Sequence, residues 1–369
     1  MKNLIVCILG YRMVPNIQFI KEKRTLSTQF LFISNPEMEE EGIREYIKKA
    51  FGIDRNELPP IVVGKYSAKE LEEELMKRDF DKFNKIFVNA SEGSPVMLSV
   101  ATEFFKDYAA DIYFIPDTID YMFQVFPKRK RGQVKIKNKI GLEEYVTSHG
   151  MEMRGGGLSG VPMSYILKYM KLYLAYEGPH WRLLTSLRNY RYRRLKQKIN
   201  AFASLDDFLK EIEFPLADPK REYISGEEIC FLTGDWFEEF VYHRIKDEFD
   251  IPEENIKTGV TLTKEGTMNE FDVMFFYNGM IYTIECKTSI KNKESNIMTD
   301  TIYKVKALQN NLGYYSDCNI FTLSSREKGD VRKDHIERGQ IFNIDVYCRE
   351  DILSCTDLSR MLKIEKVDR

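Results

Sequence analysis

Short apolar runs alternate with amphipathic stretches along the first 126 residues of the chain. The apolar runs predict buried strands at residues 4–9, 30–34, 61–63, 86–89 and 112–115. Between them lie amphipathic stretches with the spacing of helices, such as 39–51 and 68–78. Strands that alternate with helices imply right-handed crossovers, so the pattern predicts an α/β domain with a mostly parallel, Rossmann-like sheet. Sheets of this kind bind ligands at the carboxyl ends of their strands.

The pattern changes after residue 126. A basic run, KRKRGQVKIKNK at 128–139, leads through a glycine cluster at 155–157 into a mainly helical stretch. That stretch contains a second basic run, RNYRYRRLKQK at 188–198. We interpret this part of the chain as a connector with at least two helices and some basic surface.

A second α/β pattern begins near residue 222. It predicts a helix at 234–249, then a hairpin, a helix near 299–312, a strand at 319–323 and a closing helix–strand–helix arrangement. The whole chain is therefore expected to have three parts: a Rossmann-like ligand-sensing domain at 1–140, a mainly helical connector at 141–221 and an α/β domain at 222–369.

Composition narrows the functional classes. The formal net charge of the 369 residues is −2, so any contact with nucleic acid has to come from local basic patches. The six cysteines are scattered without a CxxC pair, which argues against a zinc site or a disulfide framework and fits a reducing cytoplasm. The opening apolar run is too short for a signal peptide, and no stretch is long enough to span a membrane. A cytoplasmic protein is expected.

The segment NEFDVMFFYNGMIYTIECKTS, residues 269–289, predicts a β-hairpin with defined side-chain pairs. Asn278-Gly279 between two β-rich runs favours a two-residue type I′ turn. With that turn as the loop, Asp272 lies opposite Glu285 and Glu270 lies opposite Lys287, all on one face. The other face is then an apolar core face, formed by Phe271, Val273, Phe275, Tyr282, Ile284 and Cys286.

The polar face of this hairpin has the composition of a phosphodiesterase site. Its three clustered carboxylates repel one another unless a cation joins them, and their hard oxygen ligands suit Mg²⁺ or Mn²⁺. Lys287 could orient the attacking water, help to deprotonate it, or stabilise the transition state. The alternative is a surface ladder of salt bridges. That alternative explains the pair Glu270–Lys287 but not the facing acids Asp272 and Glu285.

These residues resemble a known nuclease signature. Asp272, a hairpin, and then Glu285-Cys286-Lys287 are similar to the D…ExK motif of the restriction-endonuclease-like PD-(D/E)xK nucleases. The resemblance implies Asp272, Glu285, Lys287 and Glu238 as catalytic residues, and Glu238, Asp272, Glu285 and Cys286 as ligands of Mg²⁺ or Mn²⁺.

A helix acid and a further lysine are also candidates for this site, and each has an alternative interpretation. In the predicted helix 234–249, Glu238 shares a face with Val241 and Ile245 and is preferred to Glu239, although a solvated helix acid is the alternative. Lys304, on the helix after the hairpin, could contact a substrate phosphate or could be an exposed helical lysine.

A second candidate site lies in the first domain, where residues 86–100 read IFVNASEGSPVMLSV. This segment predicts a strand, a loop of small residues and the start of a helix. Ser94 suits the N-cap and Pro95 the first helical position. Gly93 allows close approach of a ligand, and the free N–H groups of the helix favour phosphate. An ordinary strand-to-helix turn is the alternative.

This loop resembles the N-x-[ST]-G-G-[ST]-K-x-M motif of CARF domains, the cyclic-oligoadenylate sensors of type III CRISPR systems. Two positions depart from the motif: Glu92 replaces the first glycine and Pro95 replaces the lysine. The segment VCILGYRMVPNIQFI resembles the other CARF ligand loop. Together the two loops imply a ligand site made of Gly10, Tyr11, Pro15, Asn16, Asn89, Ser91, Glu92, Gly93, Ser94 and Met97.

The two resemblances together imply a CARF-domain nuclease. They imply a homodimer that binds cyclic tetra-adenylate at the two-fold CARF interface and cleaves RNA, DNA or both with a metal ion. The basic runs 128–139 and 188–198 could line a path for nucleic acid, with Tyr190 and Tyr192 stacking on bases, or could be a charged linker and a solvated helix face. Two other functions compete: an ungated resolvase- or restriction-type DNA nuclease, and a non-catalytic CARF regulator.

Overall fold

The computed structural model describes residues 2–116, 120–175, 179–191, 195–215, 222–289 and 297–366. The N-terminal part contains a seven-stranded sheet in the order β3-β2-β1-β4-β5-β6-β7. Its strands are β1 (Lys2–Ile8), β2 (Thr28–Ser34), β3 (Ile61–Val62), β4 (Phe83–Asn89), β5 (Asp111–Phe114), β6 (Tyr121–Phe126) and β7 (Gly132–Lys135). Strands β1 to β5 pair in parallel, as their continuous apolar runs predict for a sheet buried on both faces.

Two antiparallel strands, β6 and β7, extend this sheet beyond the predicted five. Strand β7 lies inside the basic run 128–139, so that run is neither a plain linker nor part of the second domain. Lys130 Nζ forms an ion pair with Asp111 Oδ1 at 2.8 Å, and Arg131 Nε donates to the carbonyl oxygen of Val125 at 2.9 Å. Lysine-rich edge strands discourage pairing with other sheets, which accounts for the charge at this position.

Helices cover both faces of the sheet. They are α1 (Val14–Lys23), α2 (Pro36–Glu40), α3 (Ile43–Phe51), α4 (Ala68–Met76), α5 (Pro95–Asp107) and α6 (Leu142–Ser148). One face of the sheet packs with α4 and α5 around Leu71, Leu75 and Phe105. The other face packs with α1, α3 and α6 in an apolar cluster that continues into the C-terminal sheet.

The connector is mainly helical and also contains two short strands. Its elements are β8 (Glu152–Gly155), α7 (Met163–Ala175), α8 (Pro179–Arg191), β9 (Gln197–Lys198) and α9 (Leu205–Glu211). Strand β8 pairs with a strand of the C-terminal sheet and becomes its edge. Helix α7 packs on the C-terminal domain through Tyr169, whose hydroxyl donates to the carbonyl oxygen of Leu232 at 2.9 Å. The connector is therefore built into the second domain.

The C-terminal sheet has six strands in the order β15-β14-β13-β12-β11-β8. Its part of the chain contains β10 (Tyr223–Ile224), α10 (Gly226–Cys230), α11 (Trp236–Phe249), β11 (Ile256–Lys264), β12 (Thr267–Tyr277), β13 (Met280–Lys287), α12 (Ile297–Asn311), β14 (Ser316–Thr322), α13 (Lys333–Ile341), β15 (Asp345–Tyr347), α14 (Arg349–Ser354) and α15 (Leu358–Met361). Strands β13, β14 and β15 are parallel, and the other neighbours are antiparallel. Within the described residues, no helix combines the length and apolar character needed to cross a bilayer.

The hairpin of β12 and β13 has the predicted register. Asn278 and Gly279 both have positive φ, at 49° and 82°, as a type I′ turn requires. Tyr277 pairs with Met280, and the pairing continues regularly to Val273 and Ile284. Asp272 therefore comes next to Glu285 across the strands, as the sequence predicts.

One part of the predicted core face is wrong. Phe271 belongs to the apolar cluster shared with the N-terminal domain, whereas Val273 and Phe275 belong to the cluster beneath α11. The neighbouring strand carries Gly259, whose φ of +56° is left-handed. Gly259 lies between Thr258, which pairs with Val273, and Val260, which pairs with Phe271. We infer that this glycine changes the local twist of the two paired strands. The regular alternation of side chains between the two faces of the sheet is consequently interrupted at Asp272.

Helix α6 joins the two sheets. Tyr145 is buried and its hydroxyl donates to the carbonyl oxygens of Leu312 and Tyr315, at 2.8 and 3.2 Å. On the same helix, Glu144 forms an ion pair with Lys21 of α1. Helix α6 therefore contacts α1, which follows the first predicted ligand loop. It also contacts the segment that follows α12.

Candidate functional site

The end of the hairpin concentrates charge in a small volume. Lys287 Nζ lies 2.6 Å from Glu285 Oε1 and 3.3 Å from Asp272 Oδ2. Lys304 Nζ approaches the same glutamate, 2.9 Å from Oε1 and 3.1 Å from Oε2. Asp272 Oδ2 also accepts a hydrogen bond from the backbone N–H of Cys286 at 2.7 Å. Lys304 is therefore part of this cluster and is not simply a solvated helix lysine.

Helix α11 supplies a third carboxylate to the same place. Glu238 lies in the wall of the cavity that Asp272, Glu285 and Lys287 also line. Glu239, the residue not preferred from the sequence, faces elsewhere and accepts hydrogen bonds from the backbone N–H and the hydroxyl of Ser159, at 2.7 and 2.9 Å. The structure thus brings the helix acid, the two hairpin acids and the lysine together.

The cavity itself is a cleft of about 660 Å³ with an excess of acid. Six acidic and three basic residues line it: Asp235, Glu238, Glu270, Asp272, Glu285 and Asp300, with Arg191, Lys287 and Lys304. Glu270 is exposed at the edge of this cleft. Because the carboxylates outnumber the basic groups, a polyanion such as nucleic acid is repelled from this cleft unless further positive charge enters it.

Burial and neighbouring charges separate the three carboxylates in acidity. Burial, with the charges of Asp272 and Asp235, raises the pKa of Glu238 well above its usual value. Burial and the Glu285 charge raise the pKa of Asp272. Burial alone would also raise the pKa of Glu285, but Lys287 and Lys304 outweigh it and lower the pKa. Glu285 therefore has the closest positive charges, whereas Asp272 and Glu238 have longer contacts, to Lys287 at 3.3 Å and to Arg191 at 3.4 Å.

A divalent cation suits this site by donor chemistry. Glu238, Asp272 and Glu285 offer hard carboxylate oxygens to one cavity, where burial and neighbouring carboxylates raise the pKa of Glu238 and Asp272. In the described part of the chain, no group of three or more His, Cys, Asp or Glu side chains is arranged to hold a metal ion. Lys287 and Lys304 contact the oxygens of Glu285, so a cation at this glutamate would have to displace them.

Cys286 cannot serve such an ion through its thiol. The side chain is buried in the apolar cluster beneath α11, and burial raises the pKa of the thiol well above its usual value. A neutral thiol is a poor metal ligand. The main-chain carbonyl of Cys286 accepts a hydrogen bond from Lys287 Nζ at 3.3 Å.

Opposite pKa shifts predict opposite stability effects for two glutamates of this site. Because the pKa of Glu238 is raised in the folded protein, its stabilising effect is present at acidic pH and is lost as pH rises through that raised value. Because the pKa of Glu285 is lowered, its effect is present at neutral pH and is lost as pH falls through the lowered value. In metal-free buffer at pH 7, Glu238→Gln should therefore raise the melting temperature and Glu285→Gln should lower it.

Thermal melting from acidic to neutral pH checks this prediction. Both differences from the wild type should shrink as the buffer is acidified, and each kcal/mol should move the midpoint by about 1–2 °C in a chain of 369 residues. Shifts of the same sign at pH 7 would contradict the assignment of positive charge to Glu285.

In the N-terminal domain, the two ligand loops predicted from the sequence lie side by side. Asn16 Nδ2 donates to the carbonyl oxygen of Ile8 at 2.9 Å, and Asn89 Nδ2 donates to Asn16 Oδ1 at 2.8 Å. Ser91 Oγ accepts from the backbone N–H of Ile115 at 2.7 Å and donates to Asn89 Oδ1. All three side chains are buried. They hold the loops together from beneath and are not at the surface that a ligand would meet.

The remaining loop residues divide into backbone and surface positions. Gly10 and Gly93 bring the loops into contact: a Cβ at Gly10 would lie 3.0 Å from the backbone nitrogen of Gly93. Pro15 and Met97 are buried within α1 and α5. Tyr11 is 56% exposed, and its hydroxyl donates to Glu41 Oε1 at 3.2 Å.

Glu92 and Ser94 have contacts that the sequence did not reveal. Arg12 Nη2 lies 2.7 Å from Glu92 Oε1, so this acid is paired within the site. Ser94 caps α5 by accepting from the backbone N–H of Met97 at 3.1 Å, and it donates to the main-chain carbonyl oxygen of Lys65. Arg12 therefore brings a basic side chain into the loop in which Pro95 replaces the lysine of the motif.

The two basic runs have different surroundings. Run 128–139 lies at the edge of the N-terminal sheet. In run 188–198, Arg188 and Arg191 contact the C-terminal domain, and Tyr190 packs on Phe202 with ring centroids 5.3 Å apart. Tyr192 lies outside the described residues.

Family models match both parts of the chain. Residues 4–145 match the Card1 CARF domain, and residues 225–352 match the Card1-like endonuclease domain. A sensor domain followed by an endonuclease domain defines the class of protein, as the two sequence motifs predicted. Since the two matches cover well over half of its length, the chain belongs to the CRISPR-associated CARF-domain nucleases of the Card1 type.

Solved structures show the same fold along the whole chain. The protein VC1899 from Vibrio cholerae superposes with a TM-score of 0.73 at 18% identity, covering 99% of both chains. Can2 from Sulfobacillus thermosulfidooxidans, in complex with cyclic tetra-adenylate, gives a TM-score of 0.67 at 16% identity and covers 98% of both chains. A type III CRISPR defence DNA nuclease activated by cyclic oligoadenylate gives 0.56 at 14% identity, covering 88% of this chain and 46% of the other. No curated protein matches the chain.

Proposed function

We propose that this protein is an endonuclease of type III CRISPR antiviral defence that is activated by cyclic tetra-adenylate and cleaves RNA, DNA or both with Mg²⁺ or Mn²⁺. The observation that carries the proposal is the cleft in which Glu238, Asp272, Glu285 and Lys287 meet. Three carboxylates beside a lysine are the donor set of metal-dependent phosphodiester hydrolysis, as in the PD-(D/E)xK nucleases that the hairpin resembles. The named substrates of relatives include DNA, which supports DNA as one substrate of this chain.

The protein's own groups have distinct roles in this proposal. Glu238, Asp272, Glu285 and the carbonyl of Cys286 hold the divalent cation. When bound, that cation supplies a Lewis acid for the phosphate and lowers the pKa of a bound water. Burial would lower the pKa of Lys287, but Asp272 and Glu285 outweigh it and the pKa is raised. Without the cation Lys287 is therefore protonated at neutral pH, and in that form it would stabilise charge on the phosphate.

Control by the N-terminal domain is supported by contiguous packing. The loop that carries Gly10 leads into α1, and Lys21 of α1 forms an ion pair with Glu144 of α6. Tyr145, the next residue of α6, donates to the backbone just after α12, and α12 carries Lys304. A ligand can shift the equilibrium between two arrangements of these contacts only if it binds the two arrangements with different affinity.

The activator is proposed to bind between two copies of the chain. Each chain has one copy of each ligand loop, and a ring of four phosphates is enclosed most simply by two chains about a two-fold axis. Can2, which shares the fold, was solved with cyclic tetra-adenylate. The homodimer and the ring of four nucleotides rest on that likeness together with the loop geometry.

One activity assay tests the proposal. The purified protein should cut single-stranded RNA, single-stranded DNA or supercoiled DNA when Mn²⁺ and cyclic tetra-adenylate are both present, and EDTA should abolish cleavage. Omission of the ring should reduce the rate by at least tenfold, which corresponds to about 1.4 kcal/mol of coupling. Equal rates with and without the ring would indicate an ungated nuclease. No cleavage of any substrate, with the ring bound, would indicate a non-catalytic sensor.

A further inference from the structure

The connector helix α8 places two arginines against the nuclease site. Arg188 Nη2 donates to the hydroxyl of Thr288, the residue after Lys287, and to the hydroxyl of Tyr173, both at 2.8 Å. Arg191 is three positions further along the helix, so the two side chains leave the same face. Arg191 is the only arginine among the described residues that line the catalytic cleft.

The Arg191 side chain packs closely against its neighbours in the structure. Its Nη2 lies 2.6 Å from Asp235 Oδ1 and 3.4 Å from Glu238 Oε1, and its Nη1 donates to the carbonyl oxygen of Cys230 at 3.2 Å. A Cβ on Gly234 would lie 2.1 Å from Nη1. The side chain is nevertheless 31% exposed. Residue 234 thus has no side chain at the place where the guanidinium of Arg191 packs. The guanidinium still faces the cleft.

The other two basic side chains of the cleft, Lys287 and Lys304, both contact Glu285, and Lys287 also contacts Asp272. Arg191 comes from a different element and pairs with Asp235 and Glu238. A guanidinium has five donors in a planar fork that matches two phosphate oxygens, and it remains charged at all ordinary pH values. Its longest contact is the one to Glu238, so it can exchange this partner while Asp235 continues to hold it.

From this arrangement we propose that Arg191 binds a phosphate group of the nucleic-acid strand, next to the phosphate that is cleaved. The proposal rests on the proposed nuclease function and adds a substrate contact supplied by the connector. It also gives a role to one described residue of the basic run 188–198, which would reach the substrate from its position in the cleft.

Equilibrium binding of labelled single-stranded RNA and DNA tests this contact. The full chain is used in a Lys287→Ala background with Mn²⁺ and cyclic tetra-adenylate, so that the strand is bound without being cut. Adding Arg191→Ala should weaken binding about tenfold to a hundredfold, as expected when hydrogen bonds between charged groups are removed. The slope of log affinity against log salt should also fall by about 0.7, because one phosphate of the strand is no longer neutralised by the protein. Arg191→Lys should restore most of that slope because it keeps the charge.

Two further variants separate a phosphate contact from a general effect. Arg182→Ala removes an exposed arginine from the same helix and should leave affinity and slope unchanged. Gly234→Ala keeps every charge but crowds the guanidinium, so it should weaken binding in the same direction as Arg191→Ala. The slope of log affinity against log salt is the decisive measurement, because it reports the number of ions released on binding. A residue that only holds Glu238 in place would not change that number.

Two results would overturn the proposal. One is unchanged affinity and slope in Arg191→Ala, whether or not the variant loses the stabilisation of the protein by Mn²⁺ in thermal melting. The other is an equal loss of affinity in Arg182→Ala. Failure of the nuclease function is distinguishable, because it appears in the parent protein with Lys287 intact: that protein would cut no strand with Mn²⁺ and the ring present, whatever Arg191 does.

Discussion

Lys287→Ala should reduce the rate of strand cleavage by about a hundredfold to a thousandfold, the usual loss when one donor to the transition state is removed. Lys287 Nζ is held 2.6 Å from Glu285 and 3.3 Å from Asp272, and its raised pKa keeps it charged. The rate is measured with Mn²⁺, saturating cyclic tetra-adenylate and whichever nucleic acid the wild type cuts. Glu285→Gln should cause a loss of similar size because it removes a negative ligand of the cation without changing side-chain size.

The fold should survive the removal of Lys287. Lys304 remains within 2.9–3.1 Å of Glu285 and continues to neutralise it. Lys333→Ala is a matched control, since Lys333 is an 89% exposed lysine on a helix of the same domain. This control should cut at the wild-type rate. A Lys287→Ala protein that melts normally and retains more than a tenth of the activity would contradict the assignment of the hairpin as the catalytic centre.

The hairpin of the proposed catalytic site could be predicted because its determinants are local. Asn278-Gly279 selects a two-residue turn, the turn sets the register, and the register brings Asp272 next to Glu285. No information from distant parts of the chain is needed for that step. The parallel arrangement of the first five strands was predictable for a similar reason, since apolar runs and helical stretches alternate there.

Long-range contacts explain what could not be predicted. Arg191 reaches the cleft only because α8 packs against the turn around Gly234, 43 positions further along the chain. Lys65 reaches Ser94 because the parallel sheet brings the ends of its strands together. Pairing of β8 with β11 likewise depends on tertiary structure. The run 188–198 marks Arg191 as basic but not as a residue of the cleft, and no local signal marks the partners of Lys65 or β8.

The largest effect on control should come from Ser94→Asp, which should abolish activation at ordinary concentrations of cyclic tetra-adenylate and leave the metal site intact. Ser94 stands at the start of α5, where free N–H groups favour an anion, and its neighbour Glu92 is already acidic. Two unit charges about 4 Å apart repel by about 4 kcal/mol at an effective dielectric constant of about 20, or roughly a thousandfold in affinity. Aspartate is itself a good N-cap, so α5 should still begin at Pro95.

Ser94→Asn provides the control for this prediction, because asparagine has nearly the same size as aspartate, also caps helices and carries no charge. Calorimetry should show one ring per two chains for the wild type, weakened but measurable binding for Ser94→Asn, and no binding for Ser94→Asp. Stabilisation by Mn²⁺ in thermal melting should be equal in all three proteins. Equal losses in the two variants would show that Ser94 acts through its hydroxyl and not through charge near the phosphates. A stoichiometry of one ring per chain would contradict the shared site, since each chain carries a single copy of each loop.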